Sequence, residues 1–471
     1  MKRRKYIMII LTMMLSLVAC CGGNDDIYEE STQNTTGVNS TEKDNDELEI
    51  TSKDTLSDIT GGMSTEATIT PTVLFDNSWV KITAKYINYT KTTVGVAVEI
   101  ENKHSANLNL VCGDATSDAT NVVNGYMIRD CYMNAYLEPK SKILETIEFS
   151  VDELKMYGIT EIADIQLHFA VFTDRMEGFS DYAPIIKTSI YEKAHTEKDT
   201  YLENIKNGTL EEKYGFKVHN FDMKESFNAN GVKIVSQLYA TDNHGKKNIY
   251  VEVFNSSDKT YRINIEDIFL NGLKIEGIEP GVVRPGCYAV LEVKMGCVDE
   301  EIYKEYLGIS EVGTVKYRFE VAEGTLLDVK ASKDILYVVS EKVPPFAPTG
   351  QEVFNQSDIQ IIAKGIMPSD TNSKNAKLIF LVRNDRDDSI YIDMIEDSLK
   401  INGHTASGVL VEKTVDAGNY MVIEITAYLS SLKKHGITSA SDVTDISLQF
   451  KLLDDDRDVI AKPLVTYKKE Q

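Results

Sequence analysis

The chain has 471 residues, 73 acidic against 50 basic side chains, and a formal net charge of −23. That balance excludes nucleic-acid binding by phosphate neutralisation, and it favours a soluble, dispersed monomer that an anionic bilayer repels. Acidity of this kind names no partner.

Residues 2–5 are Lys-Arg-Arg-Lys, and Tyr6 to Ala19 is apolar except for Thr12 and Ser16. A basic start and a short apolar core make a secretory signal over residues 1–19. The core is shorter than the roughly 20 residues of a spanning helix. It ends Leu17-Val18-Ala19-Cys20, which resembles the lipobox of bacterial lipoproteins. The resemblance implies cleavage before Cys20 and a diacylglycerol on its thiol, with acyl chains such as palmitate. Each buried methylene contributes about 0.8 kcal/mol, and stable anchoring takes more than one chain. Removing the signal also removes four positive charges, so the lipid, not charge, must hold the protein at the membrane. Cys21 has no assigned role. From there to Thr72 the chain is rich in Ser, Thr, Asn, Asp and Glu, too polar to offset its ordering entropy. Residues 20–72 therefore read as the lipidated cysteine and a disordered acidic tether, with a reach of roughly 40 Å.

Beyond the tether one unit repeats three times. Each copy opens on Phe-Asx, at Phe75-Asp76, Phe227-Asn228 and Phe354-Asn355, and runs into an alternating strand: "WVKITAKYI", "GVKIVSQLY" and "DIQIIAKGI". A second alternating strand stops on Asn102, Asn255 or Asn384, a residue suited to a strand exit because it bonds its own main chain. An Asn-Gly comes next, at Asn124-Gly125, Asn271-Gly272 and Asn402-Gly403, which predicts a type I′ hairpin. A further strand then leads to a short polar stretch closing on Gly158-Ile159, Gly308-Ile309 or Gly436-Ile437. Ser150 or Asp152 can cap a helical turn there, with Gly158 closing it. The last long strand has the plainest alternation, as in Val315, Tyr317, Phe319 and Val321. Copies one and three close on "PIIKTS" and "PLVTYK".

About seven short strands in a unit of roughly 120 residues predict an Ig-like β-sandwich. A small barrel is the alternative, and no long amphipathic helix alternates with strands as an α/β fold requires. The fold class is therefore all-β, with three tandem Ig-like sandwiches over 73–190, 224–340 and 351–468. A charged spacer (191–223) joins the first two. A stiff Pro-rich linker (341–350) joins the last two.

The ordered motifs Phe-Asx, V-x-V-x-V-x-N, Asn-Gly and Gly-Ile resemble the repeat of uncharacterised surface lipoproteins of Clostridia and their relatives, and more widely secreted bacterial Ig-like antigen domains. Copy two departs by Thr314 where the others have Asp164 and Asp445, and copy three carries an insertion between Gly436 and Val443. No catalytic residues come with that resemblance.

Few residues suggest chemistry. Cys112 and Cys131 flank a hairpin-forming segment, so a disulfide between them is feasible outside the membrane. Cys287 and Cys297 flank the strand-like "YAVLEVKM"; at roughly 3.3 Å per residue its ends exceed bridging distance. The alternative for all four is small core residues. His168 should face solvent, opposite Leu167 and Phe169. No nucleophile motif, P-loop or zinc motif is present, which argues against an enzyme. In copy three, Asp385, Asp387 and Asp388 follow the second strand, and Asp454, Asp456 and Asp458 follow the last one. If the loops meet, these carboxylates offer oxygens for Ca²⁺; solvated acidic turns are the bland alternative. No other cofactor is expected. Tyr132 and Tyr136 share one strand face, for core packing or, if exposed, for a glycan or protein partner. These readings converge on a non-catalytic extracytoplasmic lipoprotein, held to the cell membrane by its diacylglycerol and serving as a surface interaction, adhesion or stalk module. The alternative is an accessory solute-binding lipoprotein of a transporter, which would need a deep apolar cleft.

Overall fold

The computed structural model describes residues 59–469 apart from 114–119, 130, 276, 278, 325–327, 370 and 371. Cys20, the signal and most of the tether lie outside the described residues. The described residues fall within one compact unit. It is all-β, with several antiparallel sheets packed as sandwiches.

One four-stranded arrangement occurs three times in the same spatial order. In the first sandwich it is Thr72–Asp76, Val80–Tyr89, Thr93–Asn102 and Lys142–Ser150. In the second it is Lys217–Asp222, Val232–Thr241, Lys247–Asn255 and Tyr288–Lys294. In the third it is Gln351–Gln356, Ile359–Ser369, Asn372–Asn384 and Tyr420–Tyr428. The alternating apolar residues of these strands are buried against a second sheet: Ile82 and Val98 share a core with Leu110 and Phe169. Phe380 meets Phe450 edge-on at 5.3 Å in the third sandwich. The three Asn-Gly pairs form the expected hairpin turns, with φ of 48° and 83°, 53° and 95°, and 50° and 79°. Ser150 caps the helix Val151–Met156 by accepting from the Glu153 N–H, and Gly158 sits at φ 74° behind it.

Two asparagines per unit tie these pieces together. Asn102, Asn255 and Asn384 are fully buried. Each Oδ1 accepts the N–H two residues on, from His104, Ser257 and Arg386 respectively. Each Nδ2 donates to the carbonyl four residues on. It also donates across the sandwich to a carbonyl on a strand of the opposite sheet: Leu137 at 3.1 Å, Val283 at 3.0 Å and Val415 at 2.8 Å. Asn124, Asn271 and Asn402 hold the hairpin end. Their Oδ1 atoms accept two successive N–H groups leading into the last long strand (Ala163 and Asp164, Gly313 and Thr314, Thr444 and Asp445). Their Nδ2 atoms donate to Glu161, Glu311 and Asp442 carbonyls.

The structure departs from the sequence reading in three places. Residues 59–72, assigned to the tether, are packed: Met63, Ala67 and Ile69 enter the first core, and the Ser189 N–H donates to the Thr68 carbonyl. These apolar residues are few and set among threonines, so composition hides them. The charged segment 191–223 is more than a spacer. It forms the helices Tyr191–Ala194, Thr200–Lys206 and Thr209–Glu212 and buries Tyr201, Ile205, Leu210 and Phe216. The sandwiches are also not independent. Tyr288 pairs in parallel with Tyr126, so one sheet runs from the first unit into the second.

Both joints are apolar. At the first, Leu238, Ala240, Tyr250 and Val290, from the outer face of the second unit's first sheet, belong to the first unit's core. Tyr126 is stacked between Tyr157 at 5.1 Å and Tyr288 at 5.2 Å. At the second joint, the same outer face of the third unit places Ile362, Met367, Ile379 and Leu381 in the second core. Gly365 lies under the Tyr306 ring, where a Cβ would overlap it, and the Tyr306 hydroxyl donates to the Ile366 carbonyl at 3.0 Å. Lys274 bridges Asp267 of its own unit and Asp416 of the next.

Replacing a clamp should therefore cost far more than a surface change. Asn255→Ala removes both donors and orphans the buried Val283 carbonyl. We expect a loss of about 3 kcal/mol, read as a lower urea midpoint at unchanged m-value. A midpoint equal to wild type would show that the clamp is dispensable.

Candidate functional site

The apolar contacts of the first joint surround a buried carboxyl. Glu252 has no exposed surface; the Ser236 hydroxyl donates to its Oε2 at 2.7 Å, and the Asp199 carboxyl lies beside it. Asp199 also caps the helix Thr200–Lys206 through the Leu202 N–H at 2.8 Å and accepts from the Tyr126 hydroxyl at 3.1 Å. Burial, and then the neighbouring Asp199 charge, hold the Glu252 carboxyl well above its ordinary value of 4.5. The matching position is Glu99 in the first unit, half-buried and paired with Lys142 at 3.1 Å. In the third unit it is Leu381, buried in the second joint. Glu252 is thus an acid kept at this position, as in the first unit, but enclosed in a joint, as in the third.

Beside this joint lies a crevice of about 190 Å³. Arg129, Asp152, Glu153, Asp242, His244 and Glu292 line it together with Tyr157 and Tyr250. The Glu153 carboxylate accepts from the Arg129 N–H at 2.8 Å and the Tyr157 hydroxyl at 2.9 Å. This is a small charged recess, not a deep apolar cleft.

Cys112 and Cys131 are both buried thiols and meet through one amide. Asn121 Nδ2 donates to the Cys131 sulfur at 3.0 Å, and the Cys112 thiol lies 3.5 Å from Asn121 Oδ1. Burial pushes the Cys112 thiol well above its usual value. Cys287 and Cys297 stand at opposite ends of the strand Tyr288–Lys294. His168 is buried, contrary to the alternation. The last long strand of the first unit breaks between Asp164–Gln166 and His168–Phe172. At the break the His168 N–H donates to Asn121 Oδ1, and the ring packs on Tyr182 at 4.6 Å.

In the third unit the acidic loops are already supplied with cations and N–H groups. Arg386 holds Asp388 through two bonds, at 2.8 and 3.1 Å, and also feels the Asp454 charge. Arg383 bonds Asp385 at 2.7 Å. Asp454 Oδ1 accepts the N–H groups of Asp456 and Asp458 at 3.1 and 2.9 Å. Asp387, Asp456 and Asp458 are exposed. Among the described residues no group of three or more His, Cys, Asp or Glu side chains is arranged to hold a metal ion.

Tyr132 and Tyr136 are not core residues. They are 61% and 56% exposed, because the strand Met133–Leu137 turns Met133, Ala135 and Leu137 inward instead. Asn134 shares their face, so the alternation of Met133, Ala135 and Leu137 against it marks the inward side.

No family model matches the chain, and no curated protein matches it. Among solved structures it is similar to one bearing on host cell surface retention of a 1.5-MDa bacterial ice-binding adhesin. The identity is 9%, covering 80% of this chain and 90% of that one, at a TM-score of 0.14. It is also similar to the BSP domain of a biofilm-associated protein, at 11% identity, 88% and 69% coverage and a TM-score of 0.14. A third is a Porphyromonas gingivalis W83 protein of unknown function, at 11% identity, 54% and 97% coverage and a TM-score of 0.14. Likenesses this distant carry no argument about what the chain does. No helix among the described residues is long and apolar enough to cross a membrane.

Because the folded state raises the Glu252 pKa, it binds more protons than the unfolded chain above pH 4.5, and stability falls as pH rises through that window. Glu252→Gln should match wild type near pH 4 and be the more stable at neutral pH, seen in urea titrations across pH; equal slopes would contradict this. For the acidic loops, calorimetric titration with millimolar Ca²⁺ should give no heat, because Arg386 occupies Asp388. A saturable heat abolished by Asp388→Asn would place an ion there.

Proposed function

We propose that this protein is a lipid-anchored extracytoplasmic lipoprotein, with Cys20 as its anchor, acting as a non-catalytic surface interaction, adhesion or stalk module. The observation that supports it best is how the interior is used. Three sandwich cores and two apolar joints absorb the buried surface, and what remains for recognition is the exterior. A series of units joined through packed faces transmits position from an anchor to a distal surface better than units on loose linkers would. The likeness to uncharacterised Clostridia-type surface lipoproteins points the same way. The crevice at the first joint, small and charged, offers little to the solute-binding alternative.

Metabolic labelling with a palmitate analogue tests the anchor. The wild-type chain should take up label and partition with membranes, whereas Cys20→Ala should be unlabelled and appear in the soluble or secreted fraction. Membrane retention of the unlabelled variant would remove the lipoprotein reading.

A further inference from the structure

The second sheet of the first sandwich runs in the order Gly178–Tyr182, His168–Phe172, Leu108–Cys112 and Met133–Leu137. Its register sorts the outward residues into three rows across the strands. The middle row is Ser180, Ala170, Val111 and Asn134, which are small or uncharged. One flanking row runs from Phe172 through Asn109 to Tyr136. In the other, Tyr182 sits on His168, and Tyr132, one residue before the last strand, continues that level. Two aromatic rows therefore stand roughly 13 Å apart, four residues along the strands, on either side of a low floor.

The same face in the other units is of different character. In the second unit it carries Arg262, Glu266, Lys316, Arg318, Glu320 and Asp334, tied by pairs such as Arg318–Asp267 at 2.9 Å and Lys316–Asp334 at 2.9 Å. In the third it carries Asp393 opposite Lys451 and Asp445 opposite Lys468. On the first unit's face the strands point no Asp, Glu, Lys or Arg outward. At position 170 the three units read Ala170, Glu320 and Lys451. A chain with net charge −23 has kept the outward strand residues of this one face uncharged while leaving two tyrosines more than half exposed. Solubility alone would have charged it, as it did the other two.

We propose that this face binds a neutral polysaccharide chain lying across the strands, along the Ser180–Ala170–Val111–Asn134 floor between the two aromatic rows. This deepens the surface-interaction reading and rests on it. The charge match selects the occupant: ions stand only at the two margins, Asp174 on Asn109 at 3.3 Å and Arg284 on Tyr182, so a polymer without carboxylate, sulfate or ammonium groups loses nothing on the neutral floor between them. Pyranose rings present C–H groups to aromatic faces and hydroxyls to Asn134, and to the remaining capacity of Asn109 and Ser180, which already bond Asp174 at 3.3 Å and His168 at 3.2 Å. Tyrosine supplies both an apolar ring and a polar tip at low entropic cost. A charged polymer would instead be drawn to the ionic faces of the second and third units. Arg284, with its guanidinium 3.5 Å from the Tyr182 ring, closes the end of the face towards the second unit.

Native affinity electrophoresis of the full chain through gels containing hydroxyethylcellulose, galactomannan, laminarin or glycogen tests the proposal, with alginate as the acidic control. At least one neutral polymer should retard the protein, equally at 50 and 500 mM salt. In Tyr132→Ala/Tyr136→Ala the apparent Kd should rise at least tenfold at unchanged Tm, because both rings are exposed. Tyr86→Ala, on the other sheet of the same unit and 50% exposed, should behave as wild type. Retardation by none of the neutral polymers would overturn the inference. So would retention that survives the double substitution, salt-sensitive binding to alginate alone, or these tyrosines serving only to capture a polypeptide. Adherence of cells bearing the wild-type or doubly substituted protein, measured in parallel, separates the two levels. Adherence that persists in the double variant sinks the glycan face and leaves the module; adherence no different from cells lacking the protein sinks both.

Discussion

A buried asparagine that hydrogen-bonds across two sheets is the constraint on which each sandwich depends. Strand alternation makes a sheet with one apolar face, but it does not say how the second sheet is aligned over it. In each unit that alignment is fixed by the Nδ2 of Asn102, Asn255 or Asn384, which reaches a carbonyl of the opposite layer while its Oδ1 holds the departing loop. An amide is the side chain that can donate twice and accept at once. A buried carbonyl left without that donor costs more than the bond itself contributes, so the clamp acts against misalignment as much as for the native arrangement. The second asparagine, at the hairpin, does the same for the start of the last strand.

The joints grow from the same sheets. Once the inner face of the first sheet is committed to its own core, the outer face is free to vary, and the three copies use it differently. In the first unit it is finished with cross-strand ion pairs of Lys85, Lys142 and Glu99 and stays in water. In the third it is Ile362, Met367, Ile379 and Leu381, and it is buried. The second unit is intermediate, apolar around a buried acid. That gradient lets a repeated unit form a series with a polar first member, as terminal repeats of stacked proteins generally require.

Much of this was legible in the residues and some was not. Period-two strands, Asn-Gly turns and Gly-Ile closures located the elements because local backbone chemistry dictates them. The joints had a signal that alternation obscures: "LIFLV", Leu378 to Val382, is apolar on both faces, which marks a strand covered on both sides. In the segment read as a spacer, Tyr201 and Ile205 lie four apart on a helix, but the surrounding charge masked them. The burial of His168 was not legible, since it depends on a strand break fixed by Asn121 from another part of the chain. The outward turn of Tyr132 and Tyr136 had a signal that their aromatic bulk obscured: Asn134 shares their face, opposite Met133, Ala135 and Leu137. The arginines that hold Asp385 and Asp388 sit in the same short stretch and were readable as partners for those carboxylates.

The described residues thus form one compact unit whose joints bury apolar side chains of one sandwich in the core of the next, leaving biology to the outer faces. Scanning calorimetry of the mature protein tests this most directly. Packed joints predict a single cooperative transition with van't Hoff and calorimetric enthalpies in agreement. Three resolved transitions, each with the enthalpy of an isolated sandwich, would contradict it.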